Sequence, residues 1–260
     1  MIDFLNECPL KEPLIFDTHA HYDDERFDQN RKELLLALNQ HGVGGIVTCG
    51  CDGESSKKAL AIANEYPFIY AAVGIHPGNL DSSTDLSEIE KLASDKKCVA
   101  IGEIGLDYYW TQDNKKEQAE IFEQQLILAN KLDMPVIVHD RDAHADTMEF
   151  LKKHKPKGVV HSFSGSVEMA KELIDLGLYI GVGGVITFKN AKKLPDVVKM
   201  LPLDRILLET DAPYLTPVPY RSKTNHSAMI YLTAEKIAEI KECTTEQILN
   251  ATFKNACEIF

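Results

Sequence analysis

Eight short runs of apolar, β-favouring residues recur along this chain, each bounded by Gly or Pro and each followed by a longer stretch of helical spacing. The runs are Leu14–His19, Gly45–Cys49, Ile69–Ile75, Cys98–Glu103, Val136–His139, Val159–Ser162, Tyr179–Val182 and Ile206–Glu209. They are nearly continuous in apolar residues rather than alternating, the pattern of strands covered on both faces. The clearest helical stretches are Arg31–Gln40, Glu117–Asp133, Val167–Leu176 and Thr233–Lys241. In the second of these, Ile121, Phe122, Leu126 and Ala129 fall on one stripe. Eight β-then-α units predict an α/β chain folded as one (β/α)8 TIM barrel. An open, doubly wound sheet is the competing architecture. No low-complexity linker or internal repeat divides residues 1–260, a length that one barrel domain can use whole.

Composition narrows the function. Hydrophobic residues at 44% and charged residues at 26% exclude a disordered or disulfide-dense chain. No apolar run approaches the roughly 18 residues of a membrane helix, so no membrane association is expected. The start of the chain carries Asp3, Glu7 and Glu12 and lacks the basic and apolar regions of a signal peptide. Cysteines at 8, 49, 51, 98, 243 and 257 show no paired zinc-site spacing and read as reduced core thiols. These features predict a cytoplasmic protein, and no obligate protein partner is evident. A net charge of −12 excludes coating nucleic acid by bulk electrostatics. It permits a pocket that grips one or two phosphates beside bound cations.

Ionisable residues collect at the ends of the predicted strands. The first run ends in His19-Ala20-His21, and residues i and i+2 of an extended segment share a side. Glu103, His139, His161 and Asp211 end or follow the fourth, fifth, sixth and eighth runs. Any one of them alone reads as a hydrogen-bonded strand end or a helix cap. Together, four imidazoles and two carboxylates converge on the barrel mouth, where barrel enzymes place their sites. Unpartnered, such buried groups are costly, and divalent metal satisfies them. The nitrogen and oxygen donors suit Zn, Mn, Fe, Ni or Co, and Mg less readily. Six donors exceed the needs of one open catalytic ion, so two ions per chain are expected.

In these residues the chain resembles the TatD family of metal-dependent deoxyribonucleases, within the amidohydrolase-like barrels. The resemblance runs from Phe16 to the C-terminus. It rests on Asp17-Thr18-His19-Ala20-His21, Val73-Gly74-Ile75-His76-Pro77, Gly102-Glu103-Ile104-Gly105-Leu106-Asp107 and Val136-Ile137-Val138-His139. His161-Ser162-Phe163-Ser164-Gly165 and Glu209-Thr210-Asp211-Ala212-Pro213 complete it. The resemblance implies a (β/α)8 fold and exonuclease-like, metal-dependent hydrolysis of DNA phosphodiesters. It implies that His19, His21, Glu103 and Asp211 hold one ion and that Glu103, His139 and His161 hold the second, with Glu103 bridging. His76, Arg221 and Lys223 match positions near the substrate, as phosphate contacts. After the last strand this chain departs from the family pattern. Ser222 replaces a glycine, and His226, expected as an exposed loop residue, replaces a carboxylate.

A paired-ion site polarises a phosphoryl oxygen and lowers the pKa of a bound water. Asp211 is the expected general base, with Glu209 one pleat deeper as its rival. Asp107 and Asp17 are expected to orient the imidazoles. Tyr108, Tyr109 and Trp110 offer rings for an unpaired base, although at least one should pack under its loop. His41, His144 and His154 read as structural. A DNA partner would be held through a few local phosphate contacts. Two other classes compete. One is a small-molecule amidohydrolase cutting an amide, lactone or phosphotriester. The other is a non-enzymatic scaffold. Glu103, standing where many small-molecule enzymes carry a bridging modified lysine, favours the nuclease, and the intact donor set disfavours the scaffold.

Overall fold

The computed structural model describes Leu5 and residues 8–10, 12–80 and 85–260; the acidic lead-in residues Asp3 and Glu7 lie outside the described residues. The strands are β1 (Ile15–Ala20), β2 (Val43–Cys49), β3 (Ile69–Val73), β4 (Cys98–Asp107), β5 (Val136–Arg141), β6 (Gly158–Val160), β7 (Tyr179–Val182) and β8 (Ile206–Leu208). They form one parallel sheet whose spatial order equals their chain order. A doubly wound sheet would reverse its order at a switch point. Between strands run α1 (Arg31–Gln40), α2 (Gly53–Glu65), α3 (Leu86–Leu92), α4 (Lys115–Leu132), α5 (His144–His154), α6 (Val167–Asp175) and α7 (Leu194–Met200). The chain then continues through α8 (Ile230–Lys241) and α9 (Thr245–Ile259). This is the (β/α)8 barrel that the alternation predicts. Among the described residues no helix is long and apolar enough to cross a membrane.

The interior of the barrel is a packed layer. Phe16, Val47, Ala72, Ala100, Ile137, Val159, Tyr179 and Leu207 supply one buried residue from each strand to a single cluster. Phe253 of α9 meets Phe16 edge-on, with ring centroids 5.9 Å apart. The larger apolar cluster fills the space between the strands and the helix ring, with Leu34, Leu35 and Leu38 of α1 and Phe122, Leu126 and Ala129 of α4.

Two strands run past their expected ends. β4 continues from Glu103 to Asp107, and β5 continues to Arg141, paired through Gly105↔His139 and Asp107↔Arg141. Gly105 permits this: its φ is +148°, and a Cβ there would stand 1.9 Å from the His139 carbonyl oxygen. Conversely, β6 and β8 stop before His161 and Glu209, so these residues and Asp211 sit on the turns just above the strands. Two buried glutamines of α4 fix the mouth. The side-chain amide of Gln118 bonds both the N–H and the carbonyl of Asp107, and that of Gln125 does the same for Ile75.

Closure between β8 and β1 is made at the mouth. Asp211 N–H donates to the His19 carbonyl at 2.9 Å, and His21 N–H donates to the Ala212 carbonyl at 2.7 Å. Asp17 sits beneath, fully buried, and accepts from the N–H groups of His19 and Thr210 and the hydroxyls of Thr210 and Ser227. It bonds no imidazole, so its role differs from the expected one: it clamps main chain rather than orienting rings. Removing it strands several buried donors, each worth about 1–3 kcal/mol. Asp17→Ala should therefore lose about 3 kcal/mol of unfolding free energy in urea titration, and Asp17→Asn less. An unchanged midpoint for Asp17→Ala would show that closure does not depend on this carboxylate.

Candidate metal centre

All six predicted donors meet at the C-terminal mouth. His19 on β1 and His21, the first residue past its end, bring their Nε2 atoms within 3.1 Å. Asp211 Oδ1 lies 3.6 Å from His19 Nε2 and 3.4 Å from His21 Nε2. Glu103 Oε2 lies 3.4 and 3.6 Å from the same two nitrogens. An ion with bonds of about 2.0–2.2 Å in a tetrahedral array spaces its donors by about 3.3–3.6 Å. The carboxylate–imidazole spacings of this first set fit such an ion, and the two imidazoles stand slightly closer together.

The other carboxylate oxygen of Glu103 faces a second set. Oε1 lies 2.8 Å from both His139 Nδ1 and His161 Nε2, which are 3.2 Å from each other. His76 Nε2 lies 3.6 Å from the same oxygen, so His76 joins a donor group with Glu103 and His139. The opposite nitrogen of His139 is held by Asp107 Oδ2 at 3.0 Å, the expected carboxylate support. Behind His161, the Glu209 carboxyl stands 3.9 Å from Nδ1 and accepts the Ser162 N–H. Gly181 leaves room for it, since a Cβ there would meet Glu209 Oε2 at 2.4 Å.

Electrostatics suit a cation. Burial pushes Glu103 toward the neutral form, but the imidazoles of His161, His76 and His19 and the His139 bond outweigh it, holding its pKa well below the usual value. Asp211 is likewise held low against burial, by the His21 bond and the charges of His19 and His161. Burial lowers His19 to about 4, reinforced by His161, and burial lowers His76 to about 4. His19 and His76 are thereby neutral, as metal ligands are, whereas His21, His139 and His161 are raised above the ordinary imidazole value against burial by their acidic neighbours, His139 to about 9, so that a bound cation would take the place of their protons. Glu209 differs: burial raises its pKa to about 8, so it stands as a neutral acid behind the donor set.

A cavity of about 1170 Å³ opens above the donors. Eight of its lining residues are acidic and three, Arg141, Lys192 and Lys193, are basic. Arg221 and Lys223, the expected phosphate contacts, are exposed and do not line it; the Arg221 guanidinium rests on the Phe188 ring at 3.7 Å. Lys192 and Lys193 escaped the sequence reading because they precede α7 and no strand end marks them. His226 is a correction. It is fully buried rather than exposed, drawn in between Asn225, which bonds the Thr210 and Tyr214 carbonyls, and Ser227, which bonds Asp17. His41, His144 and His154 bond the Ala37 carbonyl, Asp140 and Glu123, as structural residues do.

The cysteines are all free thiols, yet they are not all core. Cys257 is exposed, and Cys51 is half-buried and lines the cavity. Cys49 Sγ lies 3.4 Å from His19 Nδ1, and Cys51 Sγ lies 4.0 Å from His21 Nδ1. Their two-residue spacing matches that of the histidines. This was the one available signal that they address the site.

A (β/α)8 barrel that gathers imidazole and carboxylate donors at the C-terminal ends of its strands is a plan of metal-dependent hydrolases, and this chain is built on it. A family model described as TatD related DNase matches residues 16–260. The metal-dependent hydrolase YabD of Bacillus subtilis is 42% identical over 252 residues, covering 95% of this chain and 99% of the relative. The metal-dependent hydrolase YcfH of Escherichia coli K12 is 36% identical over 252 residues, covering 95% of each. The crystal structure of YjjV, a TatD homologue from Escherichia coli K12, superposes with a TM-score of 0.89 at 35% identity, covering 95% of this chain and 98% of that one. The chain belongs to the TatD family of metal-dependent hydrolases.

The split carboxylate yields a test. Glu103→Ala should lower metal content for both donor sets, whereas His139→Ala should spare the first. Metal analysis after equilibrium dialysis measures both, and undiminished content in Glu103→Ala would refute a shared ligand. Asp107→Asn should weaken binding at the second set by about 10- to 100-fold.

Proposed function

We propose that this protein is a deoxyribonuclease that hydrolyses DNA phosphodiester bonds, exonuclease-like, at a site for two divalent ions shared by Glu103. The observation that carries this reading is the division of the Glu103 oxygens between two donor sets, with Oε2 facing His19 and His21, which Asp211 also faces, and Oε1 facing His139 and His161. Bound in pairs, divalent ions such as Zn, Mn, Mg, Ni or Co polarise a phosphoryl oxygen, activate a water and neutralise the leaving oxygen. The free thiols are in keeping with a reducing, cytoplasmic setting.

The chain's own residues supply the rest. Asp211 directs Oδ1 at the His19–His21 pair, leaving its second oxygen to take the proton of the attacking water. It lines the cavity, whereas Glu209 is 1% exposed and turned behind His161. His76 Nδ1 accepts the Gly78 N–H, which places its own proton on Nε2, a neutral donor for a phosphoryl oxygen. Arg141, Lys192 and Lys193 offer the cavity's positive charge to neighbouring phosphates, a role these cavity-lining residues fill better than Arg221 and Lys223.

Three measurements test the reading. Labelled DNA, RNA and abasic oligonucleotides, tried beside lactone, amide and phosphotriester substrates with several divalent ions, should show turnover of DNA that stops on chelation. Turnover of a lactone or amide with none of DNA would make the chain a small-molecule amidohydrolase. At matched metal occupancy, Asp211→Asn should reduce kcat by about 10²–10⁴-fold and Glu209→Gln by much less; the reverse order would transfer the base to Glu209. Lys192→Ala and Lys193→Ala should each raise KM and flatten the salt dependence of binding by about 0.7–0.9 per lost phosphate contact, while Lys223→Ala leaves the slope unchanged.

A further inference from the structure

Two rings beside the mouth remain largely exposed although they pack on one another and under Arg141. Trp110, the only tryptophan, is 74% exposed and Tyr109 is 56% exposed, the highest values among the exposed large hydrophobics. Both line the cavity above the donors. Their neighbour Tyr108 behaves differently: it is buried, and its hydroxyl donates to Asp146. Exposed aromatic surface is unfavourable in water, so two adjacent rings held open beside a polar site call for an occupant.

We infer that Tyr109, Trp110 and Arg141 form a nucleobase-stacking subsite, tied to the second donor set through Asp107. The identity of the occupant rests on the phosphodiesterase reading above. The rings meet edge to face, with centroids 4.9 Å apart and planes at 86°, so together they present a face and an edge. The Arg141 guanidinium lies 3.9 Å over the Tyr109 ring and 5.3 Å from that of Trp110, extending the platform with a flat, delocalised cation. A planar, electron-rich base matches that surface, and every base has a stacking face. An aliphatic amide or lactone has none.

The platform is also fixed relative to the metal ligands. Asp107 Oδ1 accepts the N–H groups of Tyr109 at 2.9 Å and Trp110 at 3.4 Å, while Oδ2 holds His139 Nε2 at 3.0 Å. Gln118 locks the main chain of Asp107 in turn. One carboxylate therefore sets both the height of the platform and the aim of His139. A base stacked there carries its own phosphate toward the donor cluster, and Tyr109 and Trp110 register the strand without touching the phosphate.

The sole tryptophan is the reporter. Metal-loaded protein is titrated with a short phosphorothioate oligothymidylate, which resists cleavage, and with an abasic strand of the same length and linkage. The base-bearing strand should quench Trp110 fluorescence and the abasic strand should not. Tyr109→Leu should raise the dissociation constant of the base-bearing strand by about 5- to 150-fold, the value of one stacked base. It should leave the abasic strand, the metal content and the salt slope unaltered, because the backbone N–H on Asp107 remains and no phosphate contact is lost. Arg141→Lys, which keeps the charge and loses the flat face, should also weaken the base-bearing strand. Equal quenching and equal affinity for the two strands would overturn the subsite. Cleavage of ordinary DNA by the same preparation reports separately on the phosphodiesterase reading: cleavage without base-dependent quenching sinks the subsite alone, and base-dependent quenching without cleavage supports the subsite while removing the nuclease.

Discussion

Everything at the mouth hangs on how β8 is joined to β1. Adjacent strands elsewhere pair at two to five positions, but this seam carries a single bridge and a pair of main-chain bonds. Asp17 reinforces it from below by gathering donors from both sides into one buried carboxylate. The seam brings Asp211 against the His19–His21 pair, and it does so in a left-handed backbone conformation, φ +58°, that a non-glycine residue adopts at a cost. The bonds of Asp211 N–H to His19 and of Tyr214 N–H to the Asp211 carbonyl over-determine that conformation. The closure of the fold and the assembly of the first donor set are thus the same contacts.

Glu103 plays the corresponding part for charge. It is 4% exposed and surrounded by imidazoles, and without them its ionised form would be expelled from such a place. The imidazoles in turn are held open by supports of differing chemistry: a thiol behind His19, a main-chain carbonyl behind His21, a carboxylate behind His139 and a carboxyl behind His161. Three of these supports bond one ring nitrogen and leave the other turned toward Glu103 or its neighbours, while the Glu209 carboxyl stands 3.9 Å from His161 Nδ1 without a hydrogen bond.

The sequence showed the barrel because its signal is repeated eight times, and an error of two residues at one strand end does not alter the order. It showed the six donors because each lies at or just beyond an apolar run, and strand ends converge in a barrel. What stayed hidden depends on residues that carry no such marker. Lys192 and Lys193 come from a loop. Cys49 and Cys51 read as core thiols, because a thiol gives the same signal in a core and beside a ring. Asp17 was read as an orienter of rings; two residues before His19 on an extended strand, it shares that histidine's face, but its oxygens are taken up by main chain and by the hydroxyls of Thr210, just past β8, and Ser227. His226 was misread because loop position suggests exposure, whereas the bonds of Asn225 and Ser227 pull the segment inward.

A chain of net charge −12 with an acid-lined mouth is an unpromising partner for the polyanion that the proposed function requires, and the layout of the site bears on how the two would be reconciled. The acids are not spread at random. Glu103, Asp211 and Asp107 belong to the donor cluster or its support, so their charge is directed at cations rather than at substrate. The three basic residues of the cavity are not members of that cluster, although Arg141 ends β5 two residues beyond His139. Divalent ions taken up by the cluster reverse the local sign of the floor while the outer surface of the protein stays acidic. On the proposed function, attraction for a phosphate then exists only where ions are bound and only within a few ångströms of them, since charges farther off are screened over about 8–10 Å in physiological salt. Discrimination falls to whatever can be recognised at that range, and at the rim that is the face of a ring.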